Sequence, residues 1–174
     1  MNHSRKSGFT LFELLITIAI IAVLTGIIAP ISISLVRKSH EAACASNLRN
    51  IGVGINGYLQ DNNNRLPVLA LGRENKSSDV PVLETVIFEY VESADVFHCP
   101  SDSEEFKKTG SSYNWNVTQN GRHISKLSFL GIEDRPEIVP LVSDKEAWHS
   151  GETNFLYADY SSSTDERFAT RRGN

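Results

Sequence analysis

Cysteine is scarce in this sequence. Cys44 and Cys99 are the two cysteines among 174 residues, and they do not form a CxxC pair. Small secreted domains built on a disulfide framework need more cysteines than this, and zinc ribbons need closely spaced pairs. Both classes are therefore excluded, and the length favours one compact domain with a modest core plus an appendage.

Sequence motifs of common nucleotide-binding and hydrolytic sites are also absent. The chain has no P-loop, GxGxxG, GxSxG or HExxH pattern, and it has no internal repeat. We therefore expect neither an enzyme nor a bound cofactor.

Positive charge is in the minority over most of the chain. From Asp61 onwards the sequence has 19 acidic and 12 basic side chains, whereas the part before it has 2 acidic and 5 basic ones. Nucleic-acid-binding domains usually carry a basic excess. The acidic balance predicts a soluble carboxy-terminal part without affinity for nucleic acid.

Charge is missing altogether between Leu14 and Val36. As a helix this segment would span roughly 34 Å, and the hydrocarbon core of a bilayer is about 30 Å thick. A secretory signal has a shorter apolar region of about 7 to 15 residues, so its length argues against that class. The segment is predicted to be a transmembrane helix.

A lipoprotein signal fits this region poorly. Four titratable residues stand close before Cys44, namely Arg37, Lys38, His40 and Glu41. Two basic residues precede the apolar run, Arg5 and Lys6, and two follow it, Arg37 and Lys38. Because these numbers are equal, charge does not decide the orientation in the membrane.

One acid stands at the beginning of the apolar run, and its surroundings are distinctive. The stretch KSGFTLFELL, residues 6–15, resembles the prepilin leader of type IV pilins and of the pseudopilins of type II secretion systems. The resemblance implies that a prepilin peptidase cuts after Gly8 and methylates Phe9. Phe12 departs from the commoner Ile or Val but keeps the position hydrophobic.

The same resemblance assigns a role to Glu13. A carboxylate inside a bilayer costs on the order of 2.5 to 3.5 kcal/mol by insertion scales, so it favours a cationic partner. In the family, the acid at this position pairs with the amino terminus of a neighbouring subunit during filament assembly, which here would be the amine of Phe9. The alternative is that Glu13 reaches the cytoplasmic interface by itself.

Beyond the apolar run, the pattern remains helical. Pro30 is expected to bend the helix, because proline removes a helical hydrogen bond. Leu48, Ile51, Ile55 and Leu59 recur at spacings of three and four, which predicts one buried helical face. Glycines at 52, 54 and 57 weaken the helix but permit close approach by another element. The turn-forming cluster 61–67 is predicted to end it.

A second resemblance concerns the rest of the chain. EAACASNLRNIGVGINGYLQDNNNRLP, VFHCPSD and SSYNWN are similar to a group of bacterial prepilin-type proteins whose heads carry cysteines at these places. That group often has a histidine, nine residues and Asp-Gly near the carboxy terminus. His149 and Asp159 have this spacing, but Tyr160 replaces the glycine, so we expect a different turn or a continued strand.

These patterns predict an α+β, pilin-like fold in which a long N-terminal helix packs on a small antiparallel sheet. A further helix is expected over 82–91, with Asp79 near its cap, and strands within SYNWNVT, EIVPLVSD and TNFLYADY. The predicted divisions are a leader (1–8), a transmembrane helix (9–36), its amphipathic continuation (37–62), a head (63–160) and a mobile tail (161–174).

Several side chains allow more than one interpretation. Cys44 and Cys99 are interpreted as a disulfide between helix and head, two unpaired thiols, or metal ligands. Trp115 and Trp148 fit either the core or a contact rim. Some pseudopilins bind calcium in a carboxy-terminal loop, but YADYSSSTDE has no spaced carboxylate pattern, and we name no metal residues.

Taken with the resemblance, these observations imply a structural subunit of a type II secretion pseudopilus or type IV pilus. Its expected location is the bacterial inner membrane, as a single-pass protein with a cytoplasmic amino terminus and a periplasmic head. Its implied partners are other pilin subunits, prepilin peptidase, a platform protein and an assembly ATPase. The alternative is a membrane-tethered binding or hydrolytic head, with candidate residues His98, Asp144, His149 and Asp159.

Overall fold

A computed structural model describes residues 9–149 and 151–169, without the side chain of residue 30. Gly8 and the rest of the predicted leader lie outside the described residues, as does the end of the predicted tail from residue 170. The chain divides into two compact units, Met1–Lys38 and Ser39–Asn174. We call the second unit the head.

The longest element is helix α1, Leu11–Asp61, with 51 residues. It is helical at residue 30 without interruption. The predicted bend at Pro30 therefore stays a prediction, whereas the predicted end of the helix at Asp61 is confirmed.

The end of α1 has a local physical cause. Asn63 and Asn64 adopt positive φ angles of 53° and 56°, a conformation that asparagine tolerates better than most residues. The backbone N–H of Asn64 then donates to the carbonyl of Leu59 at 2.9 Å, which satisfies a carbonyl at the helix end. The turn cluster read from the sequence thus stops the helix by reversing the backbone.

The described residues of the head form two short α-helices after α1, and six short strands. The helices are α2 (Leu83–Val86) and α3 (Glu105–Thr109). The strands are β1 (Tyr113–Trp115), β2 (Ser128–Phe129), β3 (Ile132–Glu133), β4 (Pro140–Asp144), β5 (Phe155–Tyr157) and β6 (Ser162–Ser163). Strands β1, β4, β5 and β6 form an antiparallel sheet in that order, and β2 pairs with β3. The α+β architecture is that expected from the sequence.

The predicted apolar face of α1 forms one side of the core. Leu48, Ile51 and Ile55 are fully buried and Leu59 is nearly so, together with residues of β1, β4 and β5. Trp115 is buried as well, and its indole N–H donates to Asn120 Oδ1 at 2.7 Å. Trp148 is half-buried against the same core. Both tryptophans therefore contact the core.

The helix predicted over 82–91 is shorter than expected. Only Leu83–Val86 is α-helical, and a 3-10 turn follows at Phe88–Tyr90. The prediction of Asp79 near the cap was wrong, because the Pro81 carbonyl accepts the Ala70 N–H at 2.9 Å and Val82 is extended. The hydrogen bond from Ala70 holds the backbone at residue 81, and the helix begins only after it, at Leu83.

The turn after β5 also corrects an expectation. Tyr160 has a φ of 64°, so the backbone is left-handed at the position where the group that the sequence resembles often has glycine. The Tyr160 N–H donates to the Tyr157 carbonyl and the Tyr157 N–H to the Ser161 carbonyl, both at 2.9 Å. This is a three-residue hairpin loop with its last residue left-handed. The ring of Tyr160 lies beside Gly52 of α1, and we infer that this packing offsets the cost of the left-handed backbone.

The first part of the predicted tail is packed on the head. Strand β6 pairs with β5, and the guanidinium of Arg167 lies 4.7 Å from the centre of the Tyr157 ring. Tyr157 Oη also donates to the Asp165 carbonyl. The chain is therefore packed beyond the expected boundary of 160, where the sequence analysis placed a mobile tail.

Among the glycines of α1, Gly54 leaves the least room for a Cβ. A Cβ at this position would lie 2.7 Å from Ile87 Cγ2 and 2.7 Å from Val91 Cγ1. We expect Gly54→Ala to lower the free energy of unfolding by about 1 kcal/mol, because an overpacking cost of about 2 kcal/mol exceeds the gain of about 1 kcal/mol in helix propensity. Denaturant titration followed by tryptophan fluorescence measures this.

The matched control is Gly26→Ala, because no heavy atom lies within 4 Å of a Cβ there. It should leave the unfolding of the head unchanged. A Gly54→Ala variant as stable as the parent would contradict close packing at this position.

Tyr160 allows a test of the left-handed turn. The left-handed conformation costs an L-residue with a Cβ roughly 1 to 2 kcal/mol. We therefore expect Tyr160→Gly to be more stable than Tyr160→Ala by about 1 kcal/mol, since both lose the ring and only glycine avoids the cost. Thermal or denaturant unfolding compares the pair.

At the neighbouring position 158, φ is not positive, so Ala158→Gly should instead destabilise the head. Equal stability of the two Tyr160 variants would show that the turn relaxes without the ring.

Candidate functional site: the amino-terminal motif and the disulfide cluster

The described part of the prepilin-like motif begins at Phe9, whose side chain is 82% exposed. Thr10 precedes the first helical residue. Its backbone N–H donates to Glu13 Oε2 at 2.9 Å and its hydroxyl donates to the same oxygen at 2.8 Å. The Glu13 N–H donates to Thr10 Oγ1 at 3.2 Å.

These reciprocal hydrogen bonds form a capping box at the amino terminus of α1. The pattern Thr-x-x-Glu was visible in the sequence, but the sequence analysis considered assembly or the cytoplasmic interface for Glu13 and missed Thr10 as its capping partner. Both contacts use Oε2. The other carboxylate oxygen, Oε1, makes no hydrogen bond or ion pair with the described residues.

The rest of the first unit presents an apolar surface. Among the described residues, α1 is the one helix long and apolar enough to cross a membrane. Its large side chains from Leu11 to Val36 are exposed, Leu11 at 83% and Ile33 at 63%. Such a surface is costly in water. It fits membrane anchoring, and the sequence-based prediction of an anchor agrees with it.

In the head, Cys44 and Cys99 form a disulfide bond, as one of the sequence interpretations predicted. It joins α1 to the loop before α3, and both cysteines are fully buried. Neighbouring hydrogen bonds hold the loop: Asn47 Nδ2 donates to the His98 carbonyl at 2.7 Å, and the Cys99 N–H donates to Ser112 Oγ at 2.9 Å.

His149 lies against this disulfide. Its Nε2 is 3.2 Å from Cys99 Sγ and 3.9 Å from Asp144 Oδ2. His149 and Asp144 are 6% and 3% exposed. We call Cys44, Cys99, Asp144 and His149 the disulfide cluster.

Burial sets the electrostatics of this cluster. It raises the pKa of Asp144 to about 6, against the opposing effect of hydrogen bonds from the backbone and side chain of Asn154. Burial also lowers the pKa of His149, and the nearby charge of Glu41 acts in the opposite direction. Both shifts favour the neutral forms, so this contact is not a strong ion pair.

The geometry differs from that of a nucleophile, base and orienting acid. In a Cys-His-Asp triad, sulfur and carboxylate lie on opposite nitrogens of the imidazole. Here both lie closest to Nε2, and the sulfur is bonded to Cys44. The disulfide cluster thus has the composition of a triad without its arrangement.

The other candidate residues lie outside the disulfide cluster. Asp159 Oδ1 accepts hydrogen bonds from Ser161, and its Oδ2 is 3.6 Å from Arg167 Nη1. His98 stacks on Phe106 with ring centres 4.5 Å apart. His149 and Asp159, the two residues with the nine-residue spacing, therefore contact different groups and do not form one site.

Reduction should weaken the head substantially. The two cysteines are 55 positions apart, and a loop of that length contributes roughly 4 kcal/mol in the chain-entropy account. We expect a reductant to lower the free energy of unfolding by about that amount, as measured by denaturant titration under metal-free conditions. A double variant, Cys44→Ala with Cys99→Ala, should not respond to the reductant. An unchanged midpoint for the reduced parent would contradict a stabilising bond.

Comparison with known proteins gives one finding. Residues 3–29 match the family described as the prokaryotic N-terminal methylation motif. No curated protein and no solved structure shows a significant match to the chain. The match supports a type IV pilin-like protein that is processed as a prepilin and assembles with pilin subunits in general. The chain carries a type IV pilin or pseudopilin-like prepilin motif at the start of a pilin-like α+β architecture.

Proposed function

We propose that this chain is a structural subunit of a type II secretion pseudopilus or a type IV pilus. The observation that carries the proposal is Glu13, a single carboxylate in an exposed apolar helix, directly within the methylation motif. On this proposal, prepilin peptidase cuts after Gly8 and methylates Phe9. The chain then leaves the inner membrane by joining a growing filament.

The apolar surface of α1 supports lateral packing of subunits. The large apolar side chains described between Leu11 and Val36 are mostly more than half exposed. Lipid covers such a surface before assembly, and neighbouring helices of the same kind cover it afterwards. A membrane-tethered enzyme would need α1 as an anchor, but it would not need an acid at the position of Glu13.

The two oxygens of Glu13 can serve two purposes at once. Oε2 completes the capping box with Thr10, which fixes the carboxylate at the helix start. Oε1 has no partner among the described residues and is available to an incoming cation. The methylated amine of Phe9 on another subunit is such a cation, and pairing removes most of the cost of a charge in lipid.

The head contributes a rigid outer part. The disulfide and the buried face of α1 fix the helix to the sheet within the head. The platform protein and the assembly ATPase would act on the anchored chain. The alternative of a tethered hydrolytic head has weaker support, because one nitrogen of His149 faces both the sulfur and Asp144.

Three variants separate capping from charge pairing. Glu13→Gln keeps an oxygen acceptor for Thr10 and removes the charge, Thr10→Val removes the cap and keeps the charge, and Glu13→Ala removes both. We expect both Glu13 variants to be nearly absent from sheared filaments and Thr10→Val to be incorporated, because loss of a cap costs only about 1 kcal/mol. Quantitative immunoblots of filament and membrane fractions measure incorporation.

Intact-mass spectrometry of the membrane fraction is the control. Each variant should begin at methylated Phe9, and the parent should keep the leader in cells without prepilin peptidase. Normal incorporation of Glu13→Gln would refute charge pairing. An uncut or differently cut parent would refute the prepilin assignment itself.

A further inference from the structure

The disulfide cluster has the composition of a metal site as well as that of a cross-link. The ligand atoms of Cys44, Cys99 and His149 all lie within 4.8 Å of one another, and Asp144 Oδ2 is 3.9 Å from His149 Nε2. All four residues are at least nine-tenths buried. We propose that the head binds one zinc ion through Cys44, Cys99, His149 and Asp144 when the disulfide is reduced.

The two separations measured from His149 Nε2 suit a tetrahedral ion. Zinc bonds are about 2.3 Å to sulfur and about 2.0 to 2.2 Å to nitrogen and oxygen, so two ligand atoms on one ion are roughly 3.4 to 3.8 Å apart. The observed separations of 3.2 Å between Sγ and Nε2 and 3.9 Å between Nε2 and Oδ2 are close to this range. Binding requires the two sulfurs to separate, which reduction permits. It also requires the Asp144 carboxylate to approach them, because the ligand atoms that lie within 4.8 Å of one another belong to Cys44, Cys99 and His149.

Asp144 provides an independent sign of a missing ligand. Its Oδ2 accepts two hydrogen bonds from Asn154. Its Oδ1 is buried and has no hydrogen-bond partner among the described residues. A buried carboxylate oxygen without a partner is costly, and binding of a divalent cation to the Asp144 carboxylate would reduce that cost.

The disulfide and the metal exclude each other. A dithiol reduces the Cys44–Cys99 bond by supplying two electrons and two protons, and it becomes a disulfide itself. Zinc then displaces the two thiol protons and binds both thiolates. Four protein ligands leave no open position, so the zinc is structural and not catalytic.

Both forms join the same two segments. Cys44 lies on α1 and Cys99 on the loop before α3. Asp144 is the last residue of β4, and His149 lies in the segment after it. The reduced head would otherwise lose its covalent link between α1 and that loop. Zinc restores the link and adds β4 to it, so a chain that has not yet been oxidised keeps the same connection through the metal.

The test uses the full chain in detergent micelles, reduced with a phosphine, which becomes its oxide with oxygen from water, and then desalted without air. Cobalt(II) is titrated first, because tetrahedral thiolate sites give intense visible bands and thiolate-to-cobalt charge transfer. Zinc is then added against a chromophoric chelator. The variants are His149→Ala and Asp144→Asn, and the control is His123→Ala, a histidine outside the disulfide cluster.

We expect one cobalt per reduced chain, with charge transfer, displaced by one zinc, and no such signal from the oxidised chain. Asp144→Asn should weaken zinc binding by about 10- to 100-fold and His149→Ala by at least as much, while His123→Ala remains unchanged. Zinc should also raise the Tm of the reduced parent, since it binds the folded head.

Several outcomes would overturn the proposal. One is a reduced parent without charge transfer, and another is a His149→Ala variant that binds zinc as tightly as the parent. Binding without a rise in Tm would show that the thiolates of an unfolded chain hold the metal. The oxidised form of each variant, which keeps the cross-link, shows by circular dichroism whether the substitution has disturbed the fold.

Discussion

The burial of one face of α1 is the interaction on which the rest of the head depends. Leu48, Ile51 and Ile55 are fully buried against short strands, and none of those strands exceeds five residues. Sheets of such short strands are marginal without a partner surface. The helix supplies that surface, and its small residues at 52, 54 and 57 let the sheet and the segment 87–91 approach its backbone.

The periodicity of the chain made this half of the fold predictable. Spacings of three and four predicted the buried face, and the asparagine cluster predicted the helix end, because both depend on neighbouring residues. The disulfide cluster is different. Cys44, Cys99 and His149 are far apart in sequence, and only the tertiary fold shows that His149 contacts the sulfur. The sequence contains the two cysteines and the histidine but does not indicate that they lie side by side.

Two errors of sequence reasoning have physical explanations. Tyr160 was expected to change the turn, because a side chain disfavours positive φ. Its ring packs beside Gly52, and this contact offsets the local strain. Rules that consider only neighbouring residues do not include such a contact. The segment 82–91 has a helical pattern, but pairing of Pro81 with Ala70 fixes the backbone first. In both places a contact with a distant residue overrides the local preference.

The position of the disulfide bears on how the head carries mechanical load. Cys44 lies near the start of the part of α1 that belongs to the head, before the buried residues 48–59. A pull on the helix from its amino-terminal side reaches this covalent bond before it reaches the apolar contacts. The bond diverts the force into the loop at Cys99, so the helix cannot peel from the sheet one turn at a time. The contacts beyond residue 44 then bear the load together. Their resistances add, and the contacts do not break one after another.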